Sequence, residues 1–445
     1  MKLWQKNTES LQAVTQFTVG NDTVWDVLLA PYDVLASIAH ATMLAEVGLL
    51  TQQEKTQLVE ALQAIYASTQ NGQFTIAHGV EDVHSQIEFL LTQQLGDTGK
   101  KIHSARSRND QVLVALKLFI RSQITDLVTA TQQLFTTLQT QSEQYKHFLL
   151  PGYTHLQIAM PSSFGLWLGA YAEALVDDVE TLLAAYRVAN KNPLGSAAGY
   201  GSSFPINRTR TTELLGFETL NYNVVYAQMT RGKTEKVVAQ ALANIADTLA
   251  KLSMDACLYV NQNFNFLSFP AELTTGSSIM PHKKNPDVFE IVRGKCNVLR
   301  GLPNTISLLT TNLPSGYHRE LQLLKNELFP AFDTLKTCMQ MLQLMFENMV
   351  PQPHIMQQPL YQYAFSVEVV NQLVLQGVPF RDAYKKVGID IENGNYQPSQ
   401  QLNHTHEGSL GNLCNTAIAD ELHALLQKFN FEKVQQATQQ LLAPQ

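Results

Sequence analysis

Four polar segments interrupt an otherwise helical chain, and each holds side chains able to move protons or hold anions. The richest is TTGSSIMPHKKNP, residues 274–286. Gly276 gives the backbone freedom. Ser277 and Ser278 offer hydroxyls, and Lys283 and Lys284 offer fixed positive charge. Asn285 and Pro286 lead into a helix with Glu290 near its first turn. Ile279, Met280 and Pro281 suit a solvated spacer poorly, so this loop reads as functional. The second segment is HSARSRNDQ, residues 103–111, with Arg106 and Arg108 just ahead of a helix start. Free N–H groups and the helix dipole attract anions there. Taken alone it reads as a cap by Asn109 or Asp110 with solvated arginines. The third is PGYTHLQ, residues 151–157, which sets Thr154 and His155 in a tight turn between long helices. An imidazole transfers protons well near neutral pH, although a lone histidine in a turn is ordinarily structural. The fourth, SGYHRELQLLK, residues 315–325, places Tyr317, Gln322 and Lys325 on one polar face, a spacing also ordinary for a helix surface.

The elements between these loops follow a helical period. TQQEKTQLVEALQAIYAST opens with Thr51 and Glu54 in capping-box spacing. VEDVHSQIEFLLTQQLG is a second amphipathic segment stopped at Gly96. Longer patterns run from Gln111 to about Tyr145, Ser163 to about Asn190, Thr234 to about Gln262, Asp287 to about Leu309, and Lys325 to about Met349. Pro303 is expected to kink or end the fourth. Helices this long suggest a bundle packed along its whole extent. FGLWLGAYAEALV and VVAQALANIADTLAKL are apolar around much of their circumference, which implies burial on all sides. One chain is not expected to supply enough neighbours, so subunits should share the bundle. β signals are sparse. Residues 351–445, with shorter helices and a polar loop, read as a separate small domain.

At about 150 residues per domain, 445 residues suggest roughly three domains. Hydrophobic residues make up 45% of the chain, and the mean hydropathy is -0.10. A net charge of -7 and a pI near 5.9 disfavour sequence-independent nucleic-acid binding. An anionic ligand therefore needs a local cationic cluster. Cys257, Cys296, Cys338 and Cys414 form no CxxC and fit a reducing compartment. The N-terminus lacks an apolar signal core, and no unbroken apolar run long enough to span a bilayer is present. A cytoplasmic protein is expected. HTHE, residues 404–407, lies near Cys414 but reads as a chance pairing of histidines, not a metal site. GSAAGYGSSFP lacks the GK[ST] ending of a phosphate loop. Asp82 and His84 in EDVHSQIE read as helix-start residues.

Together the four segments resemble a known family. GSSIMPHKKNP resembles the signature of the fumarase/aspartase superfamily of lyases. HSARSRNDQ, PGYTHLQ and SGYHRELQLLK narrow the resemblance to the argininosuccinate lyases; sister families carry different residues in the first and last of these three. The likeness runs in motif order from about Asp33 to Lys325, with EDVHSQIE and NPLGSAAGYG in support. The opening LWQKNTES lacks the Trp-Gly-Gly-Arg-Phe run of the family, and LNHTHEGSLGNLCN differs from its common form.

The resemblance implies an all-α, three-domain fold: an N-terminal helical domain over 1–108, a central long-helix bundle over 109–350 and a small C-terminal helical domain over 351–445. It implies a homotetramer with a twenty-helix core and active sites built from loops of three subunits. The implied reaction is reversible elimination of argininosuccinate to L-arginine and fumarate through an aci-carboxylate carbanion, the last step of arginine biosynthesis. That chemistry requires a base, a cation for the developing dianion and a proton donor for the leaving nitrogen. By place in the family motifs, Ser277 is the base and Lys283 holds the dianion. His155 is the acid, directly or through a water, and Glu290 orients it. The family leaves open which of Ser277 and His155 takes which proton. Arg108, Asn109, Thr154, Lys283 and Asn285 are implied at the succinyl end, with Ser107 and Ser278 as helpers. Tyr317, Gln322 and Lys325 are implied at the arginine end, Lys325 facing the α-carboxylate. The partner is the small-molecule substrate; no metal, organic cofactor, nucleic acid or membrane is implied. Two alternatives stand beside this reading: a sister lyase of the same fold, and a non-enzymatic protein of the lens-crystallin kind. The presence of Ser277, His155, Lys283 and Glu290 together argues against the latter.

Overall fold

The structure is a computed structural model that describes residues 12–399 and 402–444. Its centre is a bundle of the expected long helices: Arg108–Gln144, Phe164–Ala189, Lys233–Val260, the pair Asp287–Leu299 and Leu302–Leu309, and Leu324–Glu347. The fourth pattern is indeed broken. The chain leaves the helix at Arg300 and Gly301, and Pro303 sits in the first turn of the following helix, where its missing N–H costs nothing. The third helix packs against the second and fourth, and the fifth packs against the first.

The long central helix starts three residues earlier than its pattern suggests, and its cap is Ser107, not Asn109 or Asp110. Ser107 Oγ accepts from Asn109 N at 3.3 Å, and Ser107 N donates to Asp110 Oδ1 at 2.9 Å. This reciprocal box satisfies N–H groups that a helix start leaves open. The Thr51–Glu54 box forms as expected. Gly96, at φ 58°, ends helix Val83–Leu95.

Four short two-stranded ladders are present among the described residues. The largest, Leu149–Thr154 against Gln157–Ser163, was not apparent from the sequence.

A helix absent from the sequence reading, Asp22–Glu46, packs on Arg108–Gln144 and on helix Gln52–Gln70. It is long and apolar enough to cross a bilayer, unlike anything expected, yet 72% of its most apolar stretch is buried inside the protein. It carries buried Asp26 and Asp33, each with polar partners. It is a core helix in this structure.

Helices Phe164–Ala189 and Lys233–Val260 are covered largely by their own chain. Trp167 meets Phe164, Tyr171, Tyr259 and Phe346 edge-on, and its Nε1 donates to Asp255 at 3.1 Å. Each helix still keeps an exposed, mostly polar stripe, with Glu173, Asp177 and Glu180 on the first and Lys233, Lys236 and Gln240 on the second, so one chain does not bury either helix on all sides. The uncovered apolar face lies elsewhere: Ile291, Val298 and Leu308 on the broken helix pair are 60%, 77% and 68% exposed.

In residues 351–445, Val370, Ala383 and Val387 form a small core of their own. Ile418, Leu422, Leu425 and Leu441 instead join the main core, through helices Asn415–Gln427 and Phe431–Leu442.

One close approach gives a stability test. A Cβ on Gly99 would stand 2.3 Å from the Leu91 carbonyl oxygen and 2.7 Å from Thr92 N. Backbone must move to admit it, so Gly99→Ala should destabilise the fold by about 2–3 kcal/mol, read from chemical denaturation.

Candidate active site

The residues singled out by the sequence fall into two groups at opposite ends of the bundle. The first lines a cleft of about 230 Å³. Arg108, Asn109, Tyr317, Gln322 and Lys325 all face it. So do Asp22, Asp26, Glu81, Arg231 and Arg319, which the sequence reading missed. Asp82 and His84 also line it.

Arg108 is the first residue of its helix, and its guanidinium forks onto three partners. It meets Glu81 at 3.1 Å, Asp82 at 3.2 Å and Ser85 Oγ at 2.6 Å. Asp82 is also the cap of helix Val83–Leu95, as read from sequence, accepting from Ser85 N at 2.8 Å. Asn109 Nδ2 reaches the Ala198 carbonyl at 3.4 Å, and Asp110 accepts from Gly195 N and Ala197 N. The glycine-rich NPLGSAAGYG segment is thus strapped to the helix start beside the cleft. Gln322 Nε2 donates to the Thr18 and Val19 carbonyls, both at 3.1 Å.

Lys325, implied to face a substrate carboxylate, is buried with its ammonium between Asp22 and Asp26, the latter at 2.6 Å. Burial and the Asp26 charge push Asp22 up to about 6, against the opposing pull of Lys325. His84 Nδ1 meets Asp33 at 2.7 Å. Burial alone would lower the His84 pKa, but the Asp33 carboxylate reverses that and raises it. Ser107, offered as a substrate helper, is occupied as the helix cap.

The second group holds the proton-transfer candidates. His155 and Leu156 form the tip of the hairpin with φ 54° and 59°. A two-residue turn with both residues left-handed matches the twist of its strands. It projects Thr154 and His155 into solvent. In the 274–286 segment, Thr275–Gly276 pairs with Lys284–Asn285, so residues 277–283 form a loop on a short ladder. Ser277 Oγ accepts from Met280 N at 3.1 Å and from Ile279 N at 3.4 Å. Asn285 Nδ2 lies 3.5 Å from the Gly276 carbonyl. Ser278, Lys283 and Glu290 are exposed. Among the described residues, the side chains of His155, Lys283 and Glu290 form no hydrogen bond or ion pair, so the implied Glu290–His155 contact is not made within one chain.

Both proton-transfer segments lie at one end. Tyr153 stacks on Phe264 at 5.4 Å, just past the end of helix Lys233–Val260. Phe269 and Phe289, which flank the serine loop, pack at 5.3 Å. The start of that helix lies at the other end, where Arg231 Nη2 donates to the Leu321 carbonyl at 2.7 Å. A helix of 28 residues spans about 42 Å at ~1.5 Å per residue. Arg108 and His155 are likewise joined through a helix of 37 residues, about 55 Å long. Within a chain the groups cannot share a site.

The metal reading of residues 404–407 gains no ligand set. His404 Nε2 meets Glu368 at 3.0 Å, and no group of three metal-binding side chains occurs among the described residues. The divergent opening LWQKNTES lies outside the described residues.

A family model described as Lyase matches residues 2–301. The argininosuccinate lyase of Bacteroides fragilis is 58% identical over 441 residues, covering 99% of this chain and 99% of the relative. That of Parabacteroides distasonis is 58% identical with the same coverage. Among solved structures, an EDDS lyase variant with bound fumarate superposes with a TM-score of 0.78 at 21% identity, over 98% of this chain and 95% of that one, a likeness of fold. The fold is thus the all-α fumarase/aspartase type. With these relatives matching from one end to the other, the chain belongs to the argininosuccinate lyase family of that superfamily.

Proposed function

We propose that this chain catalyses the reversible cleavage of argininosuccinate to L-arginine and fumarate, as the last step of arginine biosynthesis in the cytoplasm. The observation that carries the reading is the end-to-end 58% identity to argininosuccinate lyases, with both sets of family motifs present as built loops.

In this reading Ser277 removes the proton next to the succinyl carboxylate. A serine alkoxide is strongly basic and must be stabilised to form. The two N–H groups already directed at Ser277 Oγ supply that stabilisation. Lys283, a compact cation, takes up the second negative charge of the aci-carboxylate. His155 then delivers a proton to the departing guanidino nitrogen, with Glu290 orienting the ring. Arg108, Asn109, Thr154 and Asn285 hold the succinyl carboxylates, assisted by Ser107 and Ser278, and Tyr317, Gln322 and Lys325 lie at the arginine end. Charge is carried by side chains and backbone, so the scheme needs no metal or organic cofactor.

The two-ended arrangement supports cooperation between chains. Four copies, each divided at about residues 108 and 350, join their bundles so that the serine and histidine loops of some chains meet the Arg108 cleft of another. The exposed face at Ile291, Val298 and Leu308 suits such burial.

A fumarate-release assay tests the reading. Argininosuccinate should be turned over, while adenylosuccinate, malate and aspartate should not. Release from one of the other three instead would point to a sister lyase; release from none would favour a non-enzymatic role.

A further inference from the structure

The charge pattern around Lys325 goes further than the roles above. The Lys325 side chain is 3% exposed, and its Nζ sits between Asp22 and Asp26, two carboxylates for one ammonium. Asp26 is fully spent: Oδ1 takes Lys325 at 2.6 Å, Oδ2 takes Val83 N at 3.2 Å, and its side chain is 2% exposed. Asp22 is not. Lys325 takes its Oδ1, while Oδ2 has no hydrogen bond among the described residues, and the side chain is 13% exposed on the cleft wall. Burial, helped by the Asp26 charge, pushes the Asp22 pKa up to about 6 against the opposing pull of Lys325 and Arg231.

We propose that Asp22 binds the free α-ammonium group at the arginine end of the substrate, and that this contact selects an unacylated amino group. The proposal rests on the argininosuccinate reading. A trio with net negative charge attracts an ammonium and repels a carboxylate, so Lys325 serves to position Asp22. An incoming ammonium donates to Asp22 Oδ2 while Lys325 keeps Oδ1. The α-carboxylate is left to the cationic side of the same cleft, where Arg231 has its Nη1 uncommitted among the described residues. Acylation of the substrate nitrogen removes its charge and adds bulk to a cleft of only about 230 Å³.

The test compares binding of L-arginine and Nα-acetyl-L-arginine to the assembled protein by calorimetry, alongside fumarate release from argininosuccinate. Wild type should prefer L-arginine by about 10–100-fold, the range expected of one charge-assisted hydrogen bond. In Asp22→Asn and Asp22→Ser the preference should fall to within about threefold. Their kcat/KM for argininosuccinate should drop about 10–100-fold, mainly through KM. Circular dichroism and oligomer size check that both variants fold. Retained preference in folded variants overturns the proposal, as do equal losses for both ligands or no preference in wild type. If arginine preference depends on Asp22 but argininosuccinate is not cleaved, the lyase reading falls and the Asp22 assignment stands.

Discussion

Ser277→Ala is expected to lower kcat about a thousandfold while leaving folding and assembly intact. Ser277 lies on a partly exposed loop, and among the described residues its Oγ bonds only to Met280 N and Ile279 N, two residues of the same loop. No core side chain depends on it, so its removal should change stability by less than about 0.5 kcal/mol. The chemical loss is different in kind. Under the proposed mechanism Lys283 can still hold the dianion, but nothing at that position accepts the proton. The check pairs fumarate release with a thermal melt. A variant that keeps most of its activity rules out Ser277 as the base.

Mixing chains should give the second large effect. Asn109→Ala and Ser277→Ala alter opposite ends of the bundle, and neither residue supports the core. Each homogeneous variant should retain about a hundredth of native activity or less, because each lacks a group in every site. After unfolding and refolding together, random assortment should produce about a quarter of sites free of both changes, with activity to match. Recovery of that order requires that one site draw on more than one chain. Mixed oligomers that remain inactive would count against sharing.

Helix placement was legible in the sequence wherever period and punctuation agreed. Thr51 with Glu54, Gly96 and Pro303 each mark a boundary that the structure keeps. The start at Ser107 was misread because Asn109 and Asp110 are both good caps in isolation. The serine wins by letting Asp110 bind back onto the Ser107 N–H and also hold Gly195 and Ala197. The hairpin was hidden because PGYTHLQ offers no Asn-Gly or Gly-Gly turn, and His155 and Leu156 rarely adopt left-handed backbone. Asp22 and Asp26 escaped notice for another reason. They sit in an apolar helix far in sequence from Lys325, and nothing local predicts that the three meet. The helices read as apolar all round keep a polar exposed stripe, at Glu173, Asp177 and Glu180 and at Lys233, Lys236 and Gln240, and their buried faces are covered largely by the same chain, through segments such as Asn415–Gln427 that local periodicity cannot place.

The long helices that hold the two groups apart have a practical consequence under the shared-site reading. A solitary subunit is catalytically mute, so specific rate becomes a function of protein concentration. Dilution below the dissociation constant of the assembly should switch turnover off without unfolding anything, and re-concentration should restore it. An intact but inert copy produced in excess would act as a poison, capturing competent partners into dead sites.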